Sequence, residues 1–111
     1  MDDLTELKQA AIKVLQDYYD FLGDDPESEL QLIIDEKNNH YLLLEAGWYK
    51  NERIYGRLIH IDLRNEKLWI QHDSTEEGIA NELLKLGISP QRIVLAFKTP
   101  DRRKITDFAV A

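Results

Sequence analysis

The chain has 111 residues, 43% hydrophobic and 32% charged, and its 14 basic residues stand against 21 acidic ones for a net charge of −7. That length supports one modest core, so residues 1–111 are expected to form a single domain; no apolar run approaches the ~20 residues that cross a bilayer, and the lack of cysteine closes disulfide, thiolate–zinc and cysteine-nucleophile chemistry. The acidic balance repels phosphate backbones unless basic residues gather on one face, and it suits a basic protein partner. The opening MDDLTELKQ carries neither the basic flank nor the apolar stretch of a secretory signal, which leads to an expectation of a cytoplasmic protein.

Between Leu4 and Leu22 the residues Leu4, Leu7, Ala11, Val14, Tyr18 and Leu22 recur three or four apart, which predicts an amphipathic helix. Asp2 or Asp3 is placed to cap its first turn, and Gly23 with Asp24, Asp25 and Pro26 to end it. From Glu29 to Asp73 the period shortens to two, and turn clusters at Lys37-Asn38-Asn39, Asn51-Glu52 and Asn65-Glu66 divide the segment into about four antiparallel strands. Closing hairpins at those turns puts Leu30, Leu32, Ile34, Leu42, Leu44, Ile59, Ile61, Leu68 and Ile70 on one core face. The loop at Asn65-Glu66 sets Leu63 opposite Leu68 and Ile61 opposite Ile70.

Ser74 with Glu77 three residues on has the form of a capping box, and a second helix with the stripe Ile79, Leu83 and Leu86 is expected to follow it, ended by Gly87 and Ser89-Pro90. Asp73 is a second candidate for that cap. Ile93 to Phe97 reads as a strand, Lys98 to Lys104 as a loop, and the apolar end Phe108-Ala109-Val110-Ala111 as docked chain. The expected fold class is α+β: an antiparallel β-meander of about four strands, an N-terminal helix, a second helix after the meander and a short C-terminal β segment.

Chemistry has few places to reside. His60, Asp62, Trp69 and Gln71 share the sheet face opposite the aliphatic core, where Asp62 can orient His60 as a general base or join it on a metal; a small hydrolase or metal-dependent enzyme is the alternative these two residues carry. The competing reading is a polar structural pair beneath a packed Trp69. His40 and His72 sit at a turn and a strand end, and their spacing demands no metal, so neither a metal nor a cofactor is expected. No G-x-S-x-G or G-x-x-x-x-G-K-[ST] segment is present. Arg102, Arg103 and Lys104 form the one dense basic cluster, the candidate contact for nucleic acid, and the net charge weighs against it. Ile33, Tyr41, Leu43, Trp69 and Gln71 on the sheet face, with Phe108 and Val110 at the chain end, are the candidate protein interface. Cover by the first helix is the other reading of that face.

YGRLIHIDLRNEKLWIQ from Tyr55 to Gln71, and TEEGIANELLKLGISPQRIVLAF from Thr75 to Phe97, resemble the XisI family, the fdxN-element excision controlling factors of cyanobacteria. The resemblance extends to the opening helix, the Tyr41 to Trp48 strand and the terminal Phe108 to Ala111; it departs at Arg57 and at Ala96-Phe97-Lys98, where a small residue and Gly-Phe-His are usual. It implies a controlling role in programmed excision of a DNA element, beside a site-specific recombinase and a XisH-like companion with a nuclease-like fold. The implied module is non-enzymatic, binds that companion directly and meets the recombination machinery only through it. No catalytic residue comes with the resemblance, and a homodimer is left open.

Overall fold

The helix formers of the first segment build α1, Asp3–Leu22, in the computed structural model, which describes residues 3–111. Leu7, Ala10, Ala11, Val14 and Leu15 are buried along its inner face, whereas Leu4 and Leu22, at its ends, are exposed. Of the expected caps, Asp2 and the side chain of Asp3 lie outside the described residues. Gly23 ends the helix at φ 66°, donating its N–H to the Tyr19 carbonyl at 3.2 Å.

Five strands follow in a sheet of order β1-β2-β3-β4-β5: β1 (Ser28–Asp35), β2 (His40–Tyr49), β3 (Glu52–Arg64), β4 (Lys67–Asp73) and β5 (Ile93–Leu95). The first four pair antiparallel as a meander, and β5 adds parallel to β4 after the crossover through α2 (Ile79–Lys85). The last hairpin has the expected register, Leu63 opposite Leu68 and Ile61 opposite Ile70. Its loop residues Asn65 and Glu66 both sit at positive φ, as a type I′ connection requires.

The face of β2 is the reverse of the expected one. Tyr41 and Leu43 are 0% exposed in the core under α1, and Leu42 and Leu44 point to the other side. One loop and one bulge account for this. Asp35 pairs with His40, so the first loop holds four residues and not three, with the Asp35 carboxylate accepting from the Lys37 and Asn38 amides. The second loop is Lys50-Asn51, closed by Tyr49 opposite Glu52, one residue earlier than Asn51-Glu52. The fourth residue of the first loop reverses the faces between β1 and β2. Moving a two-residue loop by one residue keeps the faces, so the reversal between β2 and β3 comes from Leu58, an extra residue of β3 between the Leu43–Ile59 and Leu44–Arg57 pairs. The core face therefore carries Leu30, Leu32, Ile34, Tyr41, Leu43, Ile59, Ile61, Leu63, Leu68 and Ile70.

The second helix, Ile79–Lys85, starts four residues later than a Ser74 cap implies. Asp73 does the capping: its carboxylate accepts from the Thr75 amide at 2.8 Å, the Thr75 hydroxyl at 2.6 Å and the Ile79 amide at 2.7 Å, while the Ser74 hydroxyl faces the His72 ring instead. Ile79, Ala80 and Leu83 are buried and Leu86 is exposed. Gly87 at φ 93° completes a Schellman ending, with Ile88 N–H on the Leu83 carbonyl and Gly87 N–H on that of Leu84.

The Lys98 to Lys104 loop contains a single-turn helix, α3 (Pro100–Arg103), capped by Thr99. Beyond it Ala109 docks beside β5, its amide on the Ile93 carbonyl at 2.9 Å. Trp69, Val94 and Ala109 thereby form a second, smaller core on the sheet face away from α1. No described helix is long and apolar enough to cross a membrane.

Candidate functional site

The sheet face away from α1 is uncovered over β1, β2 and most of β3, and its polar cluster assembles from strand geometry. His60 and Asp62 are two apart on β3 and so point the same way. His40 opens β2 directly opposite Asp62. That pairing depends on a one-residue register shift, in which Leu58 is the extra residue between the Leu43–Ile59 and Leu44–Arg57 pairs. Carried straight through from the Lys50-Asn51 loop, the ladder would set His40 against Ile61. A second shift makes Gln71 the extra residue of β4, between the His60–His72 and Ile61–Ile70 pairs.

At the centre lies the Asp62 carboxylate, whose side chain is 15% exposed. Its Oδ1 meets Nδ1 of His40 at 2.6 Å and Nε2 of His60 at 2.8 Å, and its Oδ2 accepts from the Gln71 amide at 3.2 Å. Burial pushes the Asp62 carboxyl up, but the hydrogen bonds from His40 and His60 outweigh it and leave its pKa below the usual carboxylate value. The hydrogen bond to Asp62, and then its charge, raise His40 above its ordinary value. Asp62 thus orients His60 as a base would need, yet it is shared among three partners on an open strand face. His72 takes no part; it hydrogen-bonds Ser74.

Other expected site residues are placed differently. Tyr41 and Leu43 are core, for the register reason given above, and are not interface. Trp69 is 8% exposed: the Arg64 guanidinium lies 4.2 Å from its ring centroid and that of Arg103 5.6 Å, and its Nε1–H donates to the Arg64 carbonyl. The docked chain end covers the rest of this ring, which withdraws it from any partner. Phe108 is half-buried against the main core, Val110 is exposed, and Gln71 is half-buried on Asp62. Ile33 remains 39% exposed on the uncovered face.

The basic cluster is divided. Arg103 donates to the carbonyls of Leu95, Ala96, Lys98 and Val110, so its guanidinium ties β5, α3 and the chain end together. Lys104 lies 3.6 Å from Asp101, and Arg102 is exposed.

Two groups of residues escaped the sequence reading. His40 was invisible as a site residue because a strand shift, which leaves no mark in composition, brings it to Asp62. Trp48 (58% exposed) and Tyr55 (68%) flank the Arg53 guanidinium, which lies 5.4 and 5.6 Å from their ring centroids, at the far end of the same face. With Leu42, Leu44 and Ile33 they form a continuous strip. Placing the turn at Lys50-Asn51 does not reveal it, since that leaves the parity unchanged; Leu58, the extra residue of β3, turns the even positions Leu42, Leu44 and Trp48 of β2 away from the core.

Comparison with known proteins places the whole chain. The family model described as XisI protein matches residues 1–110. The crystal structure of a XisI-like protein from Anabaena variabilis is 35% identical with a TM-score of 0.92, covering 97% of this chain and 99% of that one. The fdxN element excision controlling factor XisI from the same organism is also 35% identical, with a TM-score of 0.89 over 99% of this chain and 100% of that one. No curated protein matches.

Proposed function

The chain belongs to the XisI family, and from that premise we propose that it is a non-enzymatic accessory factor that controls excision of a DNA element by binding a XisH-like companion protein. One observation carries the reading: the likeness to an fdxN element excision controlling factor runs over 99% of this chain and 100% of that one, so the factor is matched as a whole and not through a shared fragment. The net charge of −7, with Arg103 engaged by backbone carbonyls, weighs against direct grip on DNA.

The docking surface in this reading is the strip of Ile33, Leu42, Leu44, Trp48 and Tyr55, with Arg53 and Arg57 along its β3 side. Exposed Trp and Tyr beside Arg is the composition that concentrates binding energy at interfaces. The two arginines favour a companion that brings an apolar ridge bordered by carboxylates. The test is size-exclusion chromatography with light scattering of the chain mixed with its XisH-like neighbour at physiological salt. A defined complex is expected, weakened at least about tenfold by joint Trp48→Ala and Tyr55→Ala substitution with thermal stability retained. Absence of a complex removes the reading; a complex indifferent to both substitutions removes the strip.

A further inference from the structure

The geometry points to a divalent transition-metal site of the zinc class at His40, His60 and Asp62, on the uncovered sheet face. Nδ1 of His40, Nε2 of His60 and a carboxylate oxygen of Asp62 all lie within 4.8 Å of one another. Two imidazoles and one carboxylate are a donor set for borderline ions such as Zn2+ or Co2+, not for Mg2+ or Ca2+, which take oxygen. Three protein ligands on a solvent-facing strand surface leave the remaining positions to water or to an incoming group, as in open zinc sites.

The supporting residues fit that role. Gln71 donates to Oδ2 of Asp62, which holds the carboxylate with Oδ1 turned toward both rings, the kind of outer contact that orients metal ligands. Asp35 pairs directly with His40 across β1 and β2 and adds negative charge beside the site. Ligands around a tetrahedral zinc ion stand ~3.4 Å apart, given metal–ligand distances of ~2.1 Å. The His–Asp separations of 2.6 and 2.8 Å must therefore open by roughly 0.6–0.8 Å. His40, whose side chain is 50% exposed at the start of its strand, has room to provide that movement. Binding the ion replaces the hydrogen bonds from Nδ1 of His40 and Nε2 of His60 to Asp62, so each ring must carry its N–H on the far nitrogen, Nε2 of His40 and Nδ1 of His60, to offer a lone pair.

The experiment is titration of the tag-free full chain with Co2+, followed by visible ligand-field absorption, and with Zn2+ by calorimetry. One ion per chain is expected, with Zn2+ displacing Co2+ and Mg2+ failing to do so. His40→Gln, His60→Gln and Asp62→Asn should each weaken Zn2+ binding at least about tenfold, while His72→Gln leaves it unchanged. Circular dichroism checks the fold, and His40→Gln, at an exposed strand end, is the variant expected to keep it. No stoichiometric binding by the unsubstituted chain, or binding that survives His40→Gln, overturns the site; binding lost equally in His72→Gln does the same.

Discussion

Asp62 and Arg103 are two charged side chains with more partners than their sequence neighbours suggest. Asp62, set beside His60 by their spacing, is the hub of a cluster that joins β2, β3 and β4. Its pH dependence follows from the directions of the shifts. His40 titrates above its ordinary 6.5, so its contribution to stability is complete below that value and is lost as pH rises through the folded-state pKa. Asp62 titrates below its ordinary 3.8, so its contribution is present above that value and is lost as pH falls through the lowered one. The cluster therefore supports the fold best between those limits. Proton NMR titration should place the His40 midpoint above 6.5 and move it down in Asp62→Asn. Arg103 looks like part of a phosphate-binding run and is a backbone clamp. Arg103→Ala should cost about 2 kcal/mol in urea unfolding, against changes within about 0.5 kcal/mol for Arg102→Ala and Lys104→Ala. Equal losses across the three would remove the clamp.

Among the elements, α1, the end of α2 and the last hairpin were legible; the start of α2, the single turn of α3 and the other two hairpins were not. Periodicity marks α1 because apolar spacing is a property of the segment alone, and Gly23 and Gly87 mark helix ends because positive φ costs glycine little. The dipeptide Asn-Glu occurs at 51–52 and again at 65–66, yet only the second is a loop. A type I′ connection takes two positive-φ residues and accepts Asn at either. In Asn65-Glu66 it stands first, in Lys50-Asn51 second, and the dipeptide cannot distinguish the two. The start of α2 is a similar case, since Ser74 and Asp73 are both plausible caps and only the fold decides which carboxylate or hydroxyl faces the free amides. Asp73→Ala should destabilise the protein by about 1 kcal/mol, and Ser74→Ala by much less. Chemical denaturation of the two variants measures the difference; a larger loss at Ser74 would reverse the assignment.

At the scale of the whole molecule, the two tryptophans separate stability from recognition. Trp69 lies in the small second core with Val94 and Ala109, and Trp69→Ala should lose about 3–5 kcal/mol through the cavity it leaves. Trp48, 58% exposed, should lose little stability on substitution by alanine while weakening the complex with the companion. Thermal melts of both variants check the contrast, and a marked drop in Trp48→Ala would show that ring to be structural. From sequence alone came the α+β class, the order of elements, the register of the last hairpin and the family, because each rests on local spacing, on turn chemistry or on residue runs read directly. Tertiary structure alone decided which face of β2 is buried, that Trp69 is covered and Arg103 engaged, and that His40 joins His60 and Asp62. The physical reason is parity: in a sheet a single residue in a loop or bulge reverses which side chains meet, and that residue carries no compositional signal.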